Sequence, residues 1–275
     1  DLTGRLPVMS LEGNQYFLVA YDYTLNAILV RAVKDLESAT IITAFDSIFQ
    51  ELKNKGFKPQ LNITDNQAVT ALKEYLQAED CEWQFVEPNN HRVNAAERAI
   101  QTFKNHFISG LCTTDTNFPL QLWDQLAVQA QDTLNLLRTS RHDPTKSAYE
   151  ALNGACYDFN KWPLAPPGTK AIIWENPTIR QSWAPRGIDA WYVGPAKDHY
   201  RLYRFYCPDT QAYRHNGSVD FFPQHCKLPQ LNESQHAETV ATELFECIPK
   251  LKRANRRTIL RNIAKRLHEM ATNTD

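Results

Sequence analysis

Three carboxylates lie in settings that suit metal chemistry: Asp1 in DLTGRLP, Asp65 in LNITDNQ and Glu97 in VNAAERAIQTFKNH. Asp1 opens a strand-rich stretch, Asp65 ends a predicted strand, and Glu97 lies early on a predicted helix. If the fold brings these elements together, the carboxylates converge, and they repel one another unless a divalent cation lies between them. Hard oxygen ligands with open coordination positions suit Mg²⁺ or Mn²⁺. The three residues therefore form a candidate metal site.

Each of these carboxylates has a simpler interpretation when it is taken alone. Asp65, in Thr-Asp-Asn before a helix, is a normal helix N-cap. Glu97 is an ordinary helix-surface acid, and Asp1 is a chain terminus. Asp22 in YDY is a further carboxylate, for which we favour a structural role. Only the combination of Asp1, Asp65 and Glu97, in this order and in these settings, indicates a shared site.

The first half of the chain alternates between strand and helix patterns. Two β-rich runs, 15–23 and 27–33, predict a hairpin around the turn-like Thr-Leu-Asn. Apolar residues then recur at helical spacing over 36–55, where Gly56 is a natural stop. Strands are predicted at 58–65 and 82–86, and helices at 68–77, 94–112 and 119–137. This order indicates a mixed α/β domain over residues 1–158.

Beyond Pro163 the pattern changes. A proline-rich joint, LAPPGTK, precedes short β-like runs that are dense in aromatic residues: KAIIW, RGIDAWYVGPA, YRLYRFY and QAYRHNGSVDFF. Such runs predict a small antiparallel β-barrel over residues 166–228. Residues 229–275 are predicted to form a polar linker and a basic helical tail.

Composition excludes several classes of protein. The six cysteines form no CxxC pair, so neither a disulfide framework nor a zinc site is expected. No apolar run approaches the roughly 20 residues that span a bilayer, and no signal peptide is found, so we expect neither a membrane protein nor a secreted one.

Charge is distributed unevenly along the chain. Residues 1–158 hold 13 basic and 20 acidic side chains, whereas 159–229 hold 9 and 5, and 230–275 hold 8 and 6. An acidic body followed by basic modules is compatible with a metal site fed by DNA-holding surfaces. Any single charge run, however, is more often a solvated helix face.

Taken together, four segments resemble the integrase of copia-type long-terminal-repeat retrotransposons, within the retroviral integrase superfamily. They are DLTGRLP with VAYDYTLN, NITDNQ, VNAAERAIQTFKN and RGIDAWYVGPAKDHYRLY, and the resemblance covers about residues 1–228. Gln67 departs from the glycine usual in the second motif, and 31 residues separate Asp65 from Glu97, fewer than in retroviral relatives. The family's zinc-binding His/Cys module precedes this core, so no zinc is expected here.

The resemblance implies an RNase H-like mixed sheet with flanking helices. It implies that Asp1, Asp65 and Glu97 are catalytic and hold two Mg²⁺ or Mn²⁺ ions. The expected activity is metal-dependent polynucleotidyl transfer that joins element DNA ends to target DNA. Expected partners are DNA and further copies of the chain, with no small-molecule substrate. We expect a nuclear location during the reaction and a cytoplasmic particle otherwise. The alternative is a truncated, inactive integrase remnant that only binds nucleic acid or self-associates.

Basic residues are candidates for contact with DNA. Arg98 and Lys104 lie on the same predicted helix as Glu97, although a plain surface role suits them equally. In the predicted barrel, Arg186, Arg201 and Arg204, with Lys197 and Arg214 nearby, alternate with aromatic residues that favour stacking but are more often core. The tail adds a cluster that suits DNA binding, nuclear entry or a solvated helix: Lys250, Lys252, Arg253, Arg256 and Arg257.

Overall fold

An antiparallel hairpin lies at the centre of the N-terminal part of the computed structural model. The structure describes residues 1–64, 69–85, 95–175 and 183–223, together with Leu260, Asn262 and Lys265. The chain divides into two compact units, Asp1–Pro229 and Gln230–Asp275, and every element named below belongs to the first.

The hairpin is the predicted one. Strand β1 (Tyr16–Asp22) pairs with β2 (Ala27–Val33). Asn26 closes the turn with φ of 55°, a left-handed conformation that asparagine tolerates better than most residues. The turn therefore falls where the Thr-Leu-Asn sequence predicted it.

Both faces of the hairpin are buried, because its side chains alternate between two cores. Phe17 and Val19 belong to one core, and Leu18 belongs to the other. The elements on the Leu18 side are α1 (Ser38–Asn54), α2 (Val69–Ala78) and α5 (Ala148–Asn153). Those on the Phe17 side are α3 (Ala95–Leu111), a 3₁₀ helix (Leu120–Leu126) and α4 (Ala127–Leu137). Helices thus cover the hairpin on two sides, and the predicted α/β class is confirmed.

A second, parallel pair of strands follows α1. Strand β3 (Leu61–Thr64) pairs with β4 (Glu82–Phe85), and α2 connects them. A strand, a helix and a parallel strand form a βαβ unit. Among the residues described, this pair and the hairpin are separate two-stranded sheets.

Helix α4 supplies hydrogen-bond partners to the backbone groups on the outer edge of β2. The Val30 N–H donates to Gln131 Oε1 at 2.7 Å. Asn135 makes two bonds to Ile28: its Oδ1 accepts from the Ile28 N–H at 2.9 Å, and its Nδ2 donates to the Ile28 carbonyl at 2.8 Å. These polar side chains are buried because they replace the neighbouring strand that an edge otherwise requires.

One local prediction needs correction, and one short helix was missed. The segment after Pro119 is not one helix, since a 3₁₀ helix precedes α4. Helix α5 was not predicted because it is only six residues long, although its sequence carries both end signals. Ser147 Oγ accepts a bond from the Glu150 N–H, and Gly154 follows with φ of 74°.

The aromatic-rich region forms a five-stranded antiparallel sheet. Its strands are β5 (Lys170–Trp174), β6 (Gly187–Pro195), β7 (Tyr203–Cys207), β8 (Ala212–Asn216) and β9 (Val219–Phe222). They are ordered β8-β7-β6-β5-β9. The sheet has its own apolar cluster, in which Tyr192 and Phe205 are fully buried.

This sheet is rolled but open. Its edge strands β8 and β9 are separated in the chain only by Gly217 and Ser218. The edges of a flat five-stranded sheet would lie about 19 Å apart, whereas three Cα–Cα steps reach at most about 11 Å. The sheet must therefore curl toward closure. Among the described strands, however, β8 and β9 do not pair, so a closed barrel is not shown.

The rolled sheet packs directly on the core that lies on the Phe17 side of the hairpin. Trp191, Val193 and Tyr206 share a buried cluster with Phe118 and Trp123. Because the two regions share a core, both lie in the same compact unit. A functional division into residues 1–158 and 166–228 stays a prediction.

In the C-terminal segment, the described residues Leu260, Asn262 and Lys265 are helical and exposed. Across the part of the chain that the structure describes, no helix is both long and apolar enough to cross a membrane.

Candidate active site

Asp1 lies beside the outer edge of β1. Its N-terminal amine donates to the Val19 carbonyl at 2.9 Å, and its own carbonyl accepts from the Val19 N–H at 2.8 Å. The next residue, Leu2, forms a bridge with Leu18. Asp1 is therefore the direct antiparallel partner of Val19. Its Oδ1 also accepts a bond from the Leu2 N–H at 2.8 Å, which orients the carboxylate.

This register decides the face on which the Asp1 side chain lies. Directly opposed residues of an antiparallel pair project to the same side. Val19 projects into the core on the α3 side, together with Ala99 and Phe103. The Asp1 side chain therefore projects toward the layer that contains α3.

Contacts along β1 also give the direction of α3. The Phe17 ring lies 5.2 Å from the ring centroids of both Phe103 and Phe107, well along the helix. At the other end of the strand, Tyr21 lines a cavity with Ala95, at the start of α3. The helix thus runs antiparallel to β1. Val19, and Asp1 beside it, are level with its first turns.

Glu97 lies in the first turn of α3 and is half-buried. The helix is held by Ala99, Phe103 and Phe107, which recur at helical spacing on its buried face. Asp1 and Glu97 are therefore on the same side of the hairpin, and Glu97 lies near the end of α3 that is closest to Asp1. Their hard, partly solvated oxygens suit a Mg²⁺ or Mn²⁺ ion.

Asp65 lies outside the described residues. The strand that leads to it, β3, is described as far as Thr64, as the motif predicted. Within the described residues no three His, Cys, Asp or Glu side chains form a metal-binding group, and Asp65 is not among the residues searched. A joint role of Asp65 with Asp1 and Glu97 stays a prediction.

Asp22 has the structural position that we favoured. Its Oδ1 accepts the Leu25 N–H at 2.7 Å, a bond that closes the turn between β1 and β2.

The basic candidates occupy different surroundings. Arg98 and Lys104 are exposed on α3, as is Arg186 just before β6. Arg201 is exposed and donates from Nε to the Asn160 carbonyl at 3.1 Å. Arg204 is half-buried, with its guanidinium 4.3 Å from the centroid of the Tyr213 ring. The tail residues Lys250, Lys252, Arg253, Arg256 and Arg257 lie outside the described residues.

Two of the other basic residues form ion pairs within the chain. Lys197 Nζ lies 2.6 Å from Asp132 Oδ2 on α4, and the Asp132 side chain is only 5% exposed. Arg214 pairs with Glu175 at 3.1 Å. Burial raises the pKa of the Asp132 carboxyl, and the Lys197 ammonium opposes this shift.

The sequence prediction did not include Arg138 and Arg141. Both lie just after α4, yet they line the same cavity as Arg98 and Tyr21. Their only signal in the sequence is the pair of arginines in RTSR, which does not indicate the distant residues that they meet.

Solved structures that are similar to this chain include the following two. One is a chain in the cryoEM structure of the simian T-cell lymphotropic virus intasome in complex with PP2A regulatory subunit B56 gamma. It is 16% identical over 84% of this chain and 78% of that chain, with a TM-score of 0.44. The other is the HTLV-2 integrase catalytic core domain in complex with magnesium, in a trimeric form. It is 22% identical over 55% of this chain and 92% of that chain, with a TM-score of 0.40.

No protein-family profile and no curated protein matches the chain. What the chain does is therefore inferred from its own residues.

Proposed function

We propose that this chain is a metal-dependent polynucleotidyl transferase of the integrase type, which joins element DNA ends to target DNA. The observation that carries the proposal is the register of Asp1 against Val19. It directs the Asp1 carboxylate toward the α3 layer, level with the turn that bears Glu97. This register supports a shared role for two acids that are far apart in sequence.

Asp1, Asp65 and Glu97 are proposed to hold two Mg²⁺ or Mn²⁺ ions. When bound, such ions activate water or a DNA 3′-hydroxyl and stabilise the leaving oxygen. The protein side chains bind, orient and neutralise charge, and they form no covalent bond with the DNA. Leu2 contributes by fixing the Asp1 carboxylate through its N–H.

The exposed cations Arg98, Lys104, Arg186 and Arg201 are proposed to contact DNA phosphates. Arg204, stacked on Tyr213, adds a basic group next to an aromatic face. The tail cluster is proposed to add further phosphate contacts. Self-association and a nuclear site of action are part of the same proposal.

Activity is the direct test. Purified protein with Mn²⁺ and retroelement-end DNA should nick or join that DNA, and Asp65→Asn and Glu97→Gln should each abolish the reaction. Asp22→Asn is the matched control, because it removes a carboxylate but keeps the oxygen that accepts the Leu25 N–H. Activity that survives Asp65→Asn would overturn the assignment.

Metal titration separates the enzyme from an inactive remnant. We expect Mn²⁺ or Ca²⁺ to raise the melting temperature of the wild type but not that of Asp65→Asn, because only the intact set of carboxylates gains from the ion. A wild type that binds DNA without any response to metal would instead be a nucleic-acid-binding remnant.

A further inference from the structure

Three arginines converge on one small cavity, here called the arginine pocket. It has a volume of about 140 Å³ and is lined by Arg98, Arg138, Arg141, Tyr21, Thr102 and the first residue of α3, Ala95. Arg98 is 40 or more positions from the other two arginines in the sequence, so only the fold brings them together.

The arginines after α4 are held by neutral partners. Arg138 donates from Nε to the Asn26 carbonyl at 2.8 Å and from a second nitrogen to Asn26 Oδ1. The Arg141 guanidinium lies 3.9 Å from the centroid of Tyr23 and 5.9 Å from that of Tyr21. Tyr21 is itself anchored by donating its hydroxyl to Asn26 Oδ1 at 2.9 Å. The guanidiniums are thus oriented before any ligand arrives, which lowers the entropy cost of binding.

Among the described residues, the positive charge of the pocket has no matching acid. No carboxylate is among its lining residues, and the ion pairs found within the described residues include none to Arg98, Arg138 or Arg141. The N-terminal end of α3, which lines the pocket, adds the positive end of a helix dipole. Positive charges held this close together repel one another in the empty pocket, and a bound anion would offset that repulsion.

The volume of the arginine pocket and its arginine donors indicate which anion fits. A cavity of this volume is well below the roughly 300 Å³ at which small-molecule sites begin, but it can accept one tetrahedral oxyanion. The planar forks of arginine match phosphate oxygens in pairs. Arg98 directly follows Glu97 on α3, so the pocket lies at the same end of this helix as the proposed catalytic carboxylate.

We propose that the arginine pocket binds one backbone phosphate of a nucleic-acid strand and so holds that strand at the end of α3 that carries Glu97. The choice of nucleic acid as the source of the phosphate rests on the proposed function. The phosphate chemistry itself rests on the pocket alone, and both are tested without catalysis.

The first measurement is equilibrium binding of a fluorescent DNA oligonucleotide in EDTA, over a series of salt concentrations. We expect Arg141→Gln and Arg98→Gln each to weaken binding by about three- to tenfold and to reduce the salt slope by about 1. Lys34→Gln removes one exposed positive charge elsewhere and should leave both quantities unchanged. Arg138 is left intact because it anchors Asn26.

The second measurement is thermal unfolding in inorganic phosphate against chloride at equal ionic strength. Phosphate should raise the melting temperature of the wild type and Lys34→Gln, and should raise it less in Arg141→Gln and Arg98→Gln. Glu97→Gln should keep the response to phosphate and the affinity for DNA even if catalysis is lost, which separates this proposal from the proposed function.

Two results would overturn the proposal. If the arginine variants lose the phosphate response but bind DNA like the wild type, the pocket takes free phosphate and does not hold a nucleic-acid strand. If neither measurement distinguishes them from Lys34→Gln, the pocket is not an anion site. Circular dichroism and melting temperatures in chloride establish that each variant is folded.

Discussion

Replacing Lys197 by methionine tests the contact that joins the rolled sheet to α4. Methionine keeps most of the aliphatic stem but removes the ammonium that lies 2.6 Å from Asp132 Oδ2. The Lys197 carbonyl, which accepts the Trp162 Nε1–H at 2.9 Å, is retained. The substitution therefore removes the partner of the Asp132 carboxylate, whose side chain is only 5% exposed.

The magnitude follows from the burial of each group. Unit charges about 4 Å apart attract by about 4 kcal/mol at an effective dielectric constant of about 20, and removing one partner of a fully buried pair costs about 3–5 kcal/mol. Because the Lys197 side chain is 39% exposed, water screens part of this attraction. We expect Lys197→Met to lower the free energy of unfolding by about 2–3 kcal/mol at neutral pH.

The loss of unfolding free energy in Lys197→Met should depend on pH. Burial raises the pKa of Asp132 in the folded state, and losing the Lys197 ammonium raises it further. A group whose folded pKa is raised stabilises the fold below its unfolded pKa, and this contribution is lost as the pH rises through the folded pKa. The difference between variant and wild type should therefore be small in acid and grow toward neutral pH.

Urea unfolding, followed by tryptophan fluorescence over a pH series, measures this difference. Lys170→Met is the matched control, because its pair with Asp189 is 3.4 Å long and exposed, so less than about 1 kcal/mol is expected. Adding Asp132→Asn to Lys197→Met should remove the pH dependence. A loss no larger than that of Lys170→Met, and independent of pH, would refute the reasoning.

Two further substitutions test contacts that hold the fold together. Asn135→Leu leaves both backbone groups of Ile28 unpaired and buried, so we expect a loss of about 2–4 kcal/mol in urea unfolding, against little change for the exposed Asn105→Leu. Gly168→Ala should lower the melting temperature more than Gly154→Ala. Both glycines have positive φ, but an added Cβ at Gly168 would lie 2.5 Å from Thr114 Cγ2, whereas at Gly154 it meets open space. Equal losses within either pair would contradict the contacts described.

Local patterns were enough to predict most elements. The hairpin, α1, β3, α2, β4 and α3 fall close to their predicted bounds, because periodicity and turn residues act within a few positions. Pro119 was a true boundary, but the pattern after it did not indicate the 3₁₀ helix, whose Leu122 and Trp123 are buried in the core. The strands after Pro167 were also predicted, as parts of a small barrel, although their order in the sheet was not.

The sequence by itself determined the types and order of the candidate groups: an aspartate before the hairpin, an aspartate after β3 and a glutamate at the start of α3. Only the tertiary structure decided that Asp1 projects toward α3, because this depends on its register against Val19. It likewise decided that Lys197 is held by Asp132 and that Arg138 and Arg141 meet Arg98. Local sequence sets backbone preference over a few residues, whereas partners distant in the chain are chosen by how the layers pack.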